Sequence, residues 1–291
     1  MKKIVFGISI LAGLSACSSN ETTVETTTKS YVLTPLWTSD TTLKVPESVI
    51  YNEADGFLYI SNIDGKPDSI DGKGFISQMT LEGKINKLEW CTGLDAPKGM
   101  GIYQGKLYVT DINKLVIIDM ATATIEKKIE VPGSKFLNDI TIDGKGNVFI
   151  TDSYNPEIAI YVYSNGVVNS WKKKDNFVQP NGVYHVNGDL YMADMGSGKL
   201  YVTHLSDPRF MEIAKDINFG DGVNQVDDST FIVSCWPGEV YIAQNGVSSK
   251  ILDTKEVKQN AADAWYISSK NMYLVPTFFA NTIMAYKIEQ K

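Results

Sequence analysis

Asn138-Asp139-Ile140-Thr141-Ile142-Asp143-Gly144-Lys145-Gly146-Asn147-Val148-Phe149-Ile150-Thr151-Asp152 reads as two short strands joined by a tight turn. Apolar residues alternate on either side of Asp143 to Asn147, whose Gly and Asn residues supply the left-handed backbone a hairpin needs. The pattern recurs. A polar residue stands just ahead of a short apolar strand at Glu47, Lys98, Asn138, Asn181, Asp221 and Asp263, at intervals of 51, 40, 43, 40 and 42 residues. Each is followed 12, 10, 11, 10, 10 and 10 residues later by an aromatic of a second strand: Tyr59, Tyr108, Phe149, Tyr191, Phe231 and Tyr273. Periods of this length with several short strands per unit predict an all-β, six-bladed β-propeller with four strands per blade.

Further turns at Asn165-Gly166 and Asn187-Gly188 fit that reading, and no sustained helical period interrupts it. Blades are expected to begin near Pro46, Pro97, Phe136, Gln179, Phe219 and Ala262. The chain after Tyr286 has no room for a fourth strand in the last blade, so Tyr31 to Thr38 is expected to supply it and close the ring. The first interval is the longest because of Ile63 to Phe75, which serves either as a rim of the pocket or as a tolerated surface insertion.

Residues 1–17 are read as a segment apart from the fold. Lys2 and Lys3 precede an apolar run, Ile4 to Leu14, too short to span a bilayer, and Leu14-Ser15-Ala16-Cys17 has the form of a bacterial lipobox. The reading is a lipoprotein acylated at Cys17, held at the membrane of a bacterial cell envelope on its periplasmic or surface face; the alternative is an ordinary secretory signal. Residues 18–30, rich in Ser, Thr and Glu, read as a flexible tether, and 31–291 as one propeller domain.

At 43% hydrophobic the chain can bury a large core, and its net charge of -7 argues against a nucleic-acid partner. Arg209 is the only arginine. Cys91 and Cys235 fall in different expected blades and read as two separately buried thiols, with no spacing that suggests zinc or redox chemistry. Gly196-Ser197-Gly198-Lys199 lacks the flanking residues and helix of a phosphate loop, which argues against a nucleotide. His185 and His204 are the only histidines, both in expected strands, with no nucleophile elbow beside them.

The inner strands of a propeller line its axis, so the recurring polar position should converge there. Glu47, Asn138, Asn181 and Asp221 would then offer four hard oxygen ligands carrying two negative charges, a donor set suited first to Ca²⁺, with Mg²⁺, Mn²⁺ or Zn²⁺ as alternatives. The competing reading is that these residues only cap strand starts. Lys98 either stands near the cation and weakens its binding, meets a substrate oxygen, or swings out to solvent.

Pro46-Glu47, Asn138-Asp139 with the Asp143 to Asn147 turn, Gln179-Pro180-Asn181-Gly182-Val183 and Gly220-Asp221-Gly222-Val223 resemble the senescence marker protein, gluconolactonase and luciferin-regenerating enzyme family over about residues 31 to 289. The resemblance implies a six-bladed propeller with an axial divalent metal and hydrolysis of lactones or related esters. Glu47, Asn181 and Asp221 would be its core ligands, with Asn138 beside metal, water or substrate. Catalytic roles would fall to Asp221 in steering water, and to Asn138 and Lys98 as oxyanion or substrate contacts. Two departures stand out. Phe136 occupies the place where sugar-lactone hydrolases of the family commonly carry an Arg, and Pro-Glu-Gly has become Pro46-Glu47-Ser48. Phe136, with Trp236, Trp265 and Phe278, is read as a substrate rim suited to a more hydrophobic lactone or ester, or else as blade packing. The alternative function is a non-catalytic, lipid-anchored propeller that binds a protein or small ligand and uses the metal structurally.

Overall fold

The computed structural model describes residues 29–291; Cys17, the lipobox and the tether up to residue 28 lie outside the described residues. Six four-stranded antiparallel sheets form a ring. The first blade, Pro46–Asn52, Phe57–Asn62, Gly74–Met79 and Ile85–Leu94, runs from the axis outward, and the next four repeat it. In the sixth blade Trp265–Ile267, Met272–Pro276 and Ile283–Gln290 are completed by Tyr31–Thr38, paired from Tyr31 with Gln290 to Thr38 with Met284. The expected closing strand is therefore the one observed. It joins the two ends of the domain within one sheet and gives the sixth blade the four strands of the others.

Alternation sets the packing. In Lys106–Asp111 the side chains of Leu107 and Val109 are fully buried while Lys106 and Tyr108 are half-exposed, so each strand presents an apolar face to the neighbouring blade. Tyr59 packs edge-on against Trp90 at 4.8 Å within the layer between the first two blades. Cys91 and Cys235 are buried free thiols.

The repeated Thr-Asp that ends the second strand has a structural task. The buried carboxylates of Asp111, Asp152 and Asp194 each accept two backbone N–H groups from the segment leading into their own blade: Asp95 and Ala96, Lys135 and Phe136, Val178 and Gln179. The hydroxyl at the last position but one of the second strand holds the inner strand, since Ser61, Thr151 and Ser234 accept the N–H groups of Ser48, Asp139 and Gly222. These bonds satisfy donors that the ladder leaves free.

They are free because the inner strand is bulged at the same place in five blades. Register slips between Pro46 and Val49, Pro97 and Met100, Leu137 and Ile140, Pro180 and Val183, and Gly220 and Val223. A bulge re-aims side chains locally. Here it turns Glu47, Lys98, Asn138, Asn181 and Asp221 toward one mouth of the central channel.

The closing strand is clasped at its start. Tyr31 Oη donates to Asp227 Oδ2 at 2.8 Å and Lys29 Nζ to the same oxygen at 2.6 Å. Burial opposes ionisation of Asp227, but the bonds from Lys29, Tyr31 and Thr230 outweigh it and hold the carboxyl below its usual range. A depressed carboxyl stabilises the fold above its unfolded pKa of about 4 and loses that contribution as pH falls through the native value. Tyr31→Phe is therefore expected to cost about 1 kcal/mol in urea unfolding at pH 7, with the difference shrinking in acid. A variant as stable as wild type at pH 7 would contradict the clasp.

Candidate functional site

One mouth of the channel is a cavity of about 360 Å³ whose floor is Glu47, Lys98, Asn138, Asn181 and Asp221. All five side chains are buried. Glu47 Oε2, Asn181 Oδ1 and Asp221 Oδ1 accept no hydrogen bond. Buried acceptors left in this way cost on the order of 1–3 kcal/mol each, more when charged, so three of them at one place on the axis require an explanation. The amide ends are accounted for. Asn138 Nδ2 donates to Ser153 Oγ at 3.1 Å and Asn181 Nδ2 to Met195 Sδ at 3.8 Å, which leaves both amide oxygens for the pocket.

Electrostatics point the same way. Burial, then the charges of Asp221 and Asp263, push the Glu47 carboxyl well above its ordinary range, with Lys98 pulling it back. Burial and Asp263 push Asp221 up likewise. Lys98 is too little compensation: burial lowers its ammonium to about 8, its Nζ donates to Ala96 O at 2.9 Å, and it sits 4.4 Å from the centre of the Phe136 ring. A cation–π contact of this kind holds the ammonium inside the pocket rather than in solvent.

Two carboxylates and two amide oxygens converging here, with an unpartnered buried oxygen on Glu47, Asn181 and Asp221, match a hard divalent cation, which prefers oxygen ligands and needs negative charge. Among the described residues no three His, Cys, Asp or Glu side chains come together as metal ligands; the axial set has two carboxylates, and its remaining donors are amides. The residues present fit such an ion.

Asp263 departs from the expected ring. The innermost strand of the sixth blade starts only at Trp265, and Asp263 forms a parallel bridge with Ser48, its Oδ2 accepting the Ser48 hydroxyl at 2.5 Å. That places it one step down the axis, in a second cavity of about 300 Å³ at the other end, together with Asp139. Burial lifts Asp263 to about 7 and raises Asp139, which accepts the N–H groups of Val183 and Ile140.

Trp265 is also corrected. It pairs with Leu274 as Val183 pairs with Met192, so by register it belongs with the residues that face the far cavity, where it is found. Phe136, Trp236 and Phe278 do line the axial pocket. Sequence reasoning missed Tyr154, Gln179, Met195, Phe219 and Phe279 in the same wall. The signal was in the repeat: Phe136, Gln179 and Phe219 each stand two residues before a floor residue, while Met195 and Trp236 directly follow a second strand. Ile63 and Pro67 also reach the pocket, so the long first interval serves as rim.

No protein-family model matches the chain, and no curated protein matches it in sequence. Solved structures do resemble it. A catalytically inactive virginiamycin B lyase from Staphylococcus aureus with quinupristin, carrying a histidine-to-alanine substitution, superimposes with a TM-score of 0.61 at 15% identity over 89% of this chain and 99% of that one. A nidogen/laminin complex gives a TM-score of 0.58 at 16% identity over 69% of this chain and 76% of that one. Both likenesses are of fold.

Proposed function

We propose that the chain is a metal-dependent hydrolase of a lactone or related ester, with a divalent cation, calcium foremost, held on the propeller axis by Glu47, Asn181 and Asp221 and flanked by Asn138. The observation that carries this reading is the convergence of three buried, unpartnered oxygens from three blades. Such an ion, when bound, supplies Lewis acidity to a carbonyl oxygen and acidifies water.

The protein's own groups complete the chemistry. Asp221 is assigned to take a proton from the attacking water through its second carboxylate oxygen, Oδ1 being counted among the ion's ligands. Lys98 Nζ carries three N–H donors and spends one on Ala96 O, so the others are available to a carbonyl oxygen as it gains charge. Asn138, fixed by Ser153, orients the same substrate oxygen or water. The aromatic wall excludes bulk water, which strengthens each of these contacts. No histidine lines this pocket; His185 and His204 line a separate cleft, so acid–base work here falls to carboxylate and ammonium.

The reading includes the anchor. Lys29 and Tyr31 lie at the end of the sixth blade opposite the axial pocket, so attachment through Cys17 would leave the pocket mouth facing away from the membrane.

A panel of lactones and aryl esters, assayed after chelation and with Ca²⁺, Mg²⁺, Mn²⁺ or Zn²⁺ restored, tests the proposal. Hydrolysis should vanish on chelation and return at a rate that depends on the ion. A protein whose melting temperature responds to the ion while nothing in the panel is turned over would instead be the binding propeller.

A further inference from the structure

The wall of the axial pocket is aromatic to a degree that its floor does not require. Trp236, Phe278 and Phe279 form one cluster, with ring centres 4.8 to 6.0 Å apart, and Phe136 stacks at 4.7 Å against Tyr154 across from it. Three of these wall residues, Tyr154, Phe219 and Phe279, are more than half exposed. Large apolar side chains exposed together around a concavity mark a binding surface.

Backbone strain gives a second, independent sign. Phe219 and Phe278 sit at φ values of 61° and 47°, a region that bulky side chains avoid and that costs on the order of 1–3 kcal/mol. Glycine would occupy either position without that cost, yet both carry a phenyl ring aimed at the pocket. Val45 holds φ 52° at the repeat position of Phe219, so the turn belongs to the blade start, and what points to the pocket is that a ring rather than a small residue fills it at Phe219.

Donors are scarce by contrast. One amide N–H of Asn138 is spent on Ser153 and one of Asn181 on Met195, and the single arginine, Arg209, is exposed and paired with Asp207. A polyhydroxylated ligand needs many fixed donors and acceptors along its body; this wall offers mainly rings.

We infer that the ligand of this pocket carries a bulky apolar group, aromatic or branched alkyl, on the ring or chain that bears its carbonyl, and that Phe219, Phe278, Phe279 and Trp236 seat that group. Its description as a substrate rests on the hydrolase reading above. The seat itself does not.

The test uses γ-butyrolactone, its γ-phenyl derivative and a tetrahydroxylated δ-lactone as substrates, with the γ-phenyl lactam as a ligand that resists hydrolysis. The phenyl lactone should exceed the unsubstituted one in kcat/KM by ~30-fold, and the hydroxylated lactone should be the poorest. Phe219→Gly should lower the phenyl-to-unsubstituted ratio, and lactam affinity by calorimetry, by about tenfold, while melting no lower than wild type because the strain is relieved. Phe279→Ala, at an exposed position, gives the same readout without touching the strained backbone. If the phenyl lactam binds and weakens in both variants while no lactone is turned over, the seat stands and the hydrolase reading falls. Equal rates and equal affinities for phenyl and unsubstituted compounds, or a preference for the hydroxylated lactone, would overturn the inference.

Discussion

Asp221→Asn is expected to reduce ester or lactone turnover by at least ~100-fold while leaving the propeller folded. The substitution keeps the shape of the side chain and removes one of the two axial negative charges. It also removes the group proposed to accept a proton from water. Its effect on stability should change sign with the cation. In chelated protein Asp221 is a buried carboxyl pressed by Asp263 and by its own burial, so replacing it with a neutral amide relieves repulsion and should raise the melting temperature. In cation-loaded protein the same change weakens the ion's grip and should lower it. Opposite shifts in the two states would be hard to obtain from a residue that merely caps a strand. Full turnover by the variant would sink the assignment of Asp221.

Gly182→Ala is expected to destabilise the fold by about 3 kcal/mol or more, or roughly 6–12 °C in melting temperature for a domain of this size. A Cβ at Gly182 would overlap the carbonyl oxygen of Asp221 and lie 2.9 Å from its carbon and 3.2 Å from Gly222 Cα. All three atoms are backbone of the next blade's inner strand, so no side chain can swing aside. Relief requires the fourth and fifth blades to part, which also moves Asp221 away from Asn181. The control is Gly144→Ala, with nothing within 4 Å, expected to change stability by no more than about 0.5 kcal/mol. A Gly182→Ala protein within 1 kcal/mol of wild type in urea unfolding would show that the inner strands are not held this closely.

The ring of blades was legible because strand alternation and turn residues repeat at a nearly constant interval, and because Tyr31 to Thr38 had no other partner to pair with. The floor residues of the pocket were legible for the same reason: a fixed repeat position in a closed ring must converge on the axis. What sequence spacing could not show is the bulge. It inserts a slip of register at the start of five inner strands and is missing from the sixth, where pairing begins at Trp265. Asp263 shares the spacing of the floor residues and yet opens on the far cavity, where Trp265 lies with its own repeat equivalents, among them Val183 and Val223. Phe219 was read as a blade start, and the strand Gly220–Asp227 does begin beside it; its second role as a strained wall residue was not legible, since nothing in its neighbourhood announces a positive φ at a phenylalanine.

The axial oxygens are the centre of the account, and their occupancy can be measured without any substrate. Chelated protein titrated with Ca²⁺ in a calorimeter, with melting followed in parallel, should show one site and a rise of roughly 5–10 °C at a hundredfold excess over Kd. Both signals should be lost in the Glu47→Gln, Asp221→Asn double variant. Absence of binding heat and of any melting shift with Ca²⁺, Mg²⁺, Mn²⁺ and Zn²⁺ alike, or signals that survive unchanged in the double variant, would contradict it.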